Sequence, residues 1–392
     1  MEKNREEPVR VLHVLGTLNM GGAESRTMDL YRHIDREKLQ FDFLIHTTQP
    51  QFYEKEVREL GGHIYTLPRF TGKNYPEYRA AAAAFFKEHH EFAAVEGHMT
   101  STASIYLPQA KKYGIRTIAH ARSAGTASGI KGAATRLLRS SLASKADVLL
   151  ACSPEAGRAV FGEKAVERGR VEIVPNAVEV SAYRFNAESR ERIRKEFGIR
   201  ENTFVLGHVG RFDDMKNHRF LVELLDRLVN GEKREMDYCL LMVGTGQLMD
   251  QIRQQAAQAG LSDRCVFAGT CAPERTAQIY QAFDAFVFPS LYEGLPGTVI
   301  EAQSAGLPCL IADTITKEVC LTPLVSRLSL QEPERWIDAL EVLEKRRADN
   351  PWEKESSKRE VRSAEAAQQL DEAGFDIIGQ AERMQAWYLS MR

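Results

Sequence analysis

Short apolar runs and helical segments alternate along this chain in two successive series, and that rhythm is the strongest limit on its fold. In the first series the apolar runs fall at residues 10–15, 41–46, 93–98, 116–119, 148–152 and 171–174. Each suits one buried strand. Helical segments lie among them, notably at 23–34, 54–60 and 78–89. A second series opens at 203–210 and continues at 238–243, 264–268, 284–288 and 307–312, with helical segments at 218–228, 247–259 and 276–282. Strands that alternate with helices build parallel sheets covered on both faces. The expected class is therefore α/β, with two doubly wound sheets. A length of 392 residues also exceeds one ordinary core. No sequence repeat relates the two halves.

The totals exclude several function classes. Lys and Arg number 52 against 54 Asp and Glu, so no global field draws the chain to nucleic acid. No apolar run reaches membrane-spanning length. Residues 1–8 are charged and polar, without the apolar centre of a signal peptide. The six cysteines show no C-x-x-C pair and no metal spacing, so buried thiols of a cytoplasmic protein are expected. One local imbalance stands out. Residues 97–146 contain no acid, yet carry Lys111, Lys112, Arg116, Arg122, Lys131, Arg136, Arg139 and Lys145. Such a field suits peripheral contact with an anionic membrane on the cytoplasmic face, or a phosphate-bearing acceptor. The alternative is a solvated helix face.

The richest stretch is Pro289-Ser290-Leu291-Tyr292-Glu293-Gly294-Leu295-Pro296-Gly297-Thr298-Val299-Ile300-Glu301-Ala302. A buried strand leads into it, a tight loop follows, and a helix opens near Thr298 and stops at Gly306. Glu293 falls in the loop and Glu301 in the first turn of the helix. Both carboxylates thus sit where the carboxyl end of a strand meets a helix N-terminus, the edge at which open α/β sheets bind ligands. The alternative is that Glu301 complements the helix dipole while Glu293 is a solvated loop residue.

The stretch resembles the E-x7-E signature of the retaining glycosyltransferases of family 4, and the likeness extends over nearly the whole chain. It implies the GT-B fold, two Rossmann-like domains facing a central cleft. The expected division is an acceptor-side domain at 1–177, joined by a returning helix at 376–392, and a donor-binding domain at 178–375. Pro175-Asn176-Ala177-Val178 matches the family's crossover between domains, with Ala177 in place of the usual Gly.

The resemblance carries over residue by residue. The loop at 16–22, whose Gly21 and Gly22 begin a match to the family's Gly-Gly-Ala-Glu, faces the donor's phosphates and sugar. His120, at the end of a strand, approaches the donor sugar near the reacting centre; His98 matches a less constant His. Arg211 and Lys216 match the Gly-Arg…Lys pair that contacts the donor diphosphate, and Gly244 and Gly246 match a Gly-x-Gly beside it. Glu293 holds a sugar hydroxyl, Glu301 accepts from the ribose hydroxyls, and the N–H groups near Thr298 and Val299 meet the leaving charge. After Thr314 the chain departs from the commonest family pattern.

Asp213-Asp214 is adjacent rather than D-x-D, so no metal is expected, and side-chain cations and helix N-termini must hold the leaving charge. No cofactor is implied, because the nucleotide sugar is a substrate. The function expected is transfer with retention from a nucleotide-diphosphate sugar, UDP-sugar foremost, to a glycan or lipid-linked acceptor of surface or extracellular polysaccharide. Two alternatives remain open at this point: a sugar-nucleotide epimerase of the same fold, and a non-catalytic sugar-nucleotide-binding subunit.

Overall fold

The computed structural model describes residues 7–122, 129–231, 236–293, 295–348 and 352–391. The chain divides into two compact units: Met1–Ala177 with Ile377–Arg392, and Val178–Asp376. Each is built on one parallel sheet with helices between successive strands.

The first unit has seven strands: β1 (Val9–Val14), β2 (Leu39–Ile45), β3 (Ile64–Thr66), β4 (Ala94–Gly97), β5 (Arg116–Ala121), β6 (Val148–Ala151) and β7 (Val171–Ile173). Their spatial order is β3-β2-β1-β4-β5-β6-β7, all parallel. The second unit has six: β8 (Phe204–Val209), β9 (Tyr238–Val243), β10 (Cys265–Gly269), β11 (Ala285–Phe288), β12 (Cys309–Ala312) and β13 (Val325–Leu328). Their order is β10-β9-β8-β11-β12-β13. In both sheets the first strand of the unit lies beside the fourth. The strand order reverses there, and a crevice opens at the carboxyl ends.

Burial on both faces explains the composition of these strands. Every residue of β2, Leu39–Ile45, is buried, as is every residue of β9. Helices bring one apolar face to the sheet. In the helix His218–Asn230, Phe220, Leu221, Leu224, Leu225 and Leu228 are buried, while Arg219 and Glu223 are exposed.

Several elements depart from the sequence reading. β3 and β13 are edge strands of three and four residues, too short and too polar to register as apolar runs. The helix Thr100–Lys111 was not foreseen, because its buried residues include Thr100, Thr102, Ser104 and Gln109, which blur the period. The segment 344–373 is rich in charge and alanine, a composition that suits surface helices. Its helices exist, Pro333–Ala348 and Trp352–Glu372, but the second carries buried Arg359, Ser363, Ala366 and Leu370. The guanidinium of Arg359 donates to the carbonyls of Tyr280, Phe283 and Ala305 at 2.7–3.0 Å, closing helix ends that would otherwise be buried unpaired. Asn350-Pro351, which reads in the sequence as a polar turn between these helices, lies outside the described residues.

The helix Ile377–Leu389 belongs to the first unit, although it follows the second in sequence. It buries Ile377, Ala381, Met384 and Tyr388 in the apolar cluster of Met28, Tyr31 and Phe41. No described helix is long and apolar enough to cross a membrane. The six cysteines are free thiols, four of them buried.

Candidate functional site

The second unit gathers its polar groups at the carboxyl ends of β8 and β11, the two neighbouring strands where the order reverses. After β8 the chain makes a single turn, Asp214–Lys216, capped by Asp213, whose carboxylate accepts from the Lys216 amide at 3.2 Å. Asn217 adopts φ 53°, a left-handed conformation that Asn tolerates, and the next helix begins at His218. This loop is stitched to the one after β11. The Leu291 amide donates to the Met215 carbonyl at 2.8 Å, and Asn217 Nδ2 donates to the Pro289 carbonyl at 3.3 Å.

That stitching brings Lys216 against Glu293. The ammonium donates to Glu293 Oε1 and stands 4.7 Å from the ring centre of Phe288, the last residue of β11. Both side chains are 18% exposed, so the pair is open to solvent on one side. Arg211 is exposed on the same loop.

The helix Gly297–Ser304 follows the same loop, so its N-terminal amides lie at the carboxyl-end side of β11. Glu301 lies on its buried side. Tyr280 Oη donates to Glu301 Oε2 and to the Thr298 carbonyl, 3.0 Å each, so the carboxylate is only 6% exposed. The hydroxyls of Ser290 and Thr298 are buried and have no hydrogen-bond partner among the described residues. Cations, unpartnered hydroxyls and helix amides are groups that can hold a phosphate-bearing ligand, and carboxylates such as Glu293 and Glu301 can accept from hydroxyls. Gly294 lies outside the described residues.

Gly244 and Gly246 turn out to have a packing role. A Cβ on Gly244, whose φ is +133°, would fall 2.0 Å from the Gly210 carbonyl oxygen, and one on Gly246 would fall 2.4 Å from that of Phe212. Only glycine lets the loop after β9 lie this close to the loop after β8. The Thr245 carbonyl then accepts from the Phe212 amide at 3.0 Å.

In the first unit, Gly21 caps the helix Gly22–His33 in extended conformation. The Glu24 carboxylate, which accepts from Thr17 Oγ1 at 3.3 Å, already lies over that helix end. The ends of β4 and β5 hold a different group. His120 Nδ1 is 2.7 Å from Glu96 Oε1, and Tyr388 donates to Glu96 Oε2 from the C-terminal helix. Arg122 donates to His98 Nδ1 at 3.3 Å, and His98 Nε2 meets His13 Nδ1 at 3.1 Å. Burial pulls the His13 and His120 rings down to about 4, and His98 well below its ordinary value. Burial alone would raise the Glu96 carboxyl, but the hydrogen bond from His120 and the surrounding rings hold it well below the usual range.

His98 and His120 were singled out in the sequence as site residues; His13, Glu96 and Tyr388 were not, and Arg122 was counted only in the basic span. Glu96 and Arg122 lie two residues from the two histidines, which is the only signal they offered. Among the described residues, His13, Glu96 and His98 are the only three potential metal ligands whose atoms all lie within 4.8 Å of one another. Their lone pairs are largely committed to one another and to Arg122 and Tyr388. The Arg122 guanidinium, 4.0 Å from Glu96, also opposes a second cation there.

The basic span is narrower than its sequence suggests. Lys111 pairs with Asp147, Lys145 donates to the Ser104 carbonyl at 3.0 Å, and Arg122 is turned inward to His98. Lys112 and Arg116 stay exposed, as do Arg136 and Leu137 on the helix Gly129–Ser140, Leu137 by 75%. Residues 123–128 lie outside the described residues.

The family model for "Glycosyl transferases group 1" matches residues 189–363, and that for "Glycosyl transferase 4-like domain" matches residues 21–177. EpsF of Bacillus subtilis (strain 168), a glycosyltransferase by name, is 36% identical over 83% of this chain and 84% of its own length. An Escherichia coli protein named UDP-Gal:alpha-D-GlcNAc-diphosphoundecaprenol alpha-1,3-galactosyltransferase is 29% identical over 38% of each chain. Among solved structures, Anabaena Alr3699/HepE in complex with UDP and glucose superposes with a TM-score of 0.72. It covers 97% of this chain and 99% of its own at 16% identity, a likeness of fold.

Proposed function

The chain belongs to the group 1 glycosyltransferases of GT-B fold, and from that premise we propose that it moves a sugar from a UDP-sugar, with retention, to a glycan or lipid-linked acceptor of surface or extracellular polysaccharide synthesis. The observation that carries this reading is the meeting of Lys216, Glu293, Glu301 and a helix N-terminus at the switch point of the second sheet. UDP is the nucleotide of choice because the fold neighbour holds UDP and glucose and the E. coli relative is named for UDP-Gal. That relative's acceptor is a sugar on a lipid diphosphate, which motivates the lipid-linked acceptor class.

Each residue has a task in this reading. Lys216 and Arg211 bind the diphosphate as point charge and fork respectively, and the amides at 297–299 take the charge that grows on the leaving oxygen. Glu301 accepts from the ribose hydroxyls. Glu293 accepts from a sugar hydroxyl beside the breaking bond. By the family resemblance His120 also accepts from a sugar hydroxyl. The bond from the anomeric carbon to the diphosphate oxygen breaks through an oxocarbenium-like state, and the acceptor oxygen bonds to that carbon on the same face. The acceptor's proton passes to the departing diphosphate.

Side-chain cations supply the charge a metal would otherwise bring, so transfer persists in excess chelator. The test is to incubate the purified chain with UDP-sugars, lipid-diphosphate-linked sugars and a chelator, and to read the products by mass spectrometry and their anomeric configuration by NMR. A product with the donor's configuration is expected. An inverted product, or an absolute need for a divalent ion, would overturn the corresponding part of the reading. A changed donor sugar formed without any acceptor would show an epimerase instead.

A further inference from the structure

We propose that Glu96 and Tyr388 are positioning residues that set the tautomer of His120, and with it the hydrogen-bonding sense of the ring edge offered to a sugar. The inference rests on the reading of His120 as a sugar-binding residue.

The geometry fixes the protons. An ionised carboxylate can only accept, so the 2.7 Å contact between His120 Nδ1 and Glu96 Oε1 places the ring proton on Nδ1. His120 Nε2 then carries a lone pair. That atom is buried and has no partner among the described residues, so it is free to accept from a ligand hydroxyl. The other carboxylate oxygen takes the phenol of Tyr388, 292 positions away in sequence. The phenol ring is held edge-on to Phe41 at 5.6 Å and to His13 at 6.2 Å.

The neighbouring groups have consistent protonation. The Arg122 guanidinium cannot accept, so its 3.3 Å contact makes His98 Nδ1 the acceptor and puts the His98 proton on Nε2. That proton is directed at His13 Nδ1, 3.1 Å away, with Glu96 Oε1 at 3.6 Å. All three rings can therefore be neutral, and the carboxylate is the one anion of the group beside the one guanidinium. A buried carboxylate with one unpaired oxygen would be costly and free to swing. Tyr388 closes that oxygen, so the C-terminal helix does more than cover apolar surface. It holds the group that holds the sugar-facing ring.

The test uses the full chain labelled with 15N-histidine, with the His120 signals assigned by their loss in His120→Asn. In the wild type His120 should show the Nδ1-protonated pattern. Glu96→Met should shift it to the Nε2-protonated form or a mixture, while Glu96→Gln, which keeps an acceptor oxygen, should retain it. In steady-state transfer, Tyr388→Phe and Glu96→Met should each lower kcat/KM about tenfold, the worth of one hydrogen bond. Added to His120→Asn, neither should cost more than a further twofold. Gln385→Ala removes a helix-docking contact, the acceptor for the Asp35 amide at 2.6 Å, without touching the relay. It should leave the His120 pattern unchanged. An Nε2-protonated ring in the wild type overturns the proposal, as do losses from Tyr388→Phe and His120→Asn that multiply. Because the ring pattern is read without turnover, a wild-type chain that transfers no sugar would refute the functional reading alone.

Discussion

Lys216 and Glu293 share one ion pair, and this couples two tasks that the motifs treat as separate. A diphosphate held by Lys216 must share the cation with the carboxylate. Removing that negative charge frees Lys216 for the phosphate, so Glu293→Gln should tighten UDP binding by about threefold, in keeping with a partly exposed pair. Lys216→Ala should weaken UDP binding by about tenfold. Titration calorimetry with UDP measures both, and an unchanged UDP affinity in Glu293→Gln would show that the pair is independent of the phosphate seat. Lys216 and Glu293 could each be singled out in the sequence, because each lies in a short motif that follows the family pattern. Their pairing was not legible. It depends on β8 lying beside β11, and strand order is not written in the periodicity of either strand. Gly244 and Gly246 teach the same point, since their close approach is to another loop of the protein, visible only once the two loops are side by side.

At the scale of elements, the helix Trp352–Glu372 shows why a charged, alanine-rich segment need not be a surface element. Arg359 is buried because it closes the carbonyls of two helix ends. Arg359→Met should therefore destabilise the second unit by about 3–5 kcal/mol, the cost of leaving several buried acceptors unpaired. Urea denaturation checks it, and a loss below about 1 kcal/mol would contradict the account. The helix Gly129–Ser140 supports an opposite expectation, of contact with something outside the chain. Exposed Leu137 beside exposed Arg136 suits an anionic lipid surface. Binding to liposomes should rise with their anionic fraction, weaken with salt, and vanish when Lys131, Arg136 and Arg139 are replaced by Ser with the fold intact. Equal binding by that variant would leave the helix a solvated face. The sequence overstated this field because it could not show that Lys111, Arg122 and Lys145 spend their charge or hydrogen bonds on the protein itself.

Across the whole molecule, both units keep histidines neutral in their interiors. Burial lowers His13 and His120 in the first unit and His218 in the second to about 4. In the unfolded chain these rings titrate near 6.5, so between about 4 and 6.5 the unfolded state binds more protons. Stability is thus complete above the unfolded value and falls as pH drops through this window, by about 1.4 kcal/mol per group per pH unit. Tm should be lower at pH 5 than at pH 7.5 by about 5–10 °C. A Tm that rises on acidification would contradict the neutral assignments. The two-sheet plan was legible because every strand except the edge strands β3 and β13 announced itself by its apolar run. The position of the C-terminal helix could be argued only from resemblance, since an apolar face does not say which core it joins.

The central claim, that the second unit binds a nucleotide sugar through its two carboxylates, is tested most directly by donor kinetics of Glu293→Gln and Glu301→Gln, with melting temperatures measured alongside. On the proposed reading Glu301 accepts from ribose equally in ground and transition states, so its variant should mainly raise donor KM; Glu293 accepts beside the breaking bond, so its variant should mainly lower kcat. Each effect should be about ten- to a hundredfold, the worth of a hydrogen bond to a charged group. Glu301→Gln should also lower Tm slightly, because it weakens the bond from Tyr280. Wild-type kcat/KM in both variants would contradict the account, and so would losses of activity that follow from unfolding alone.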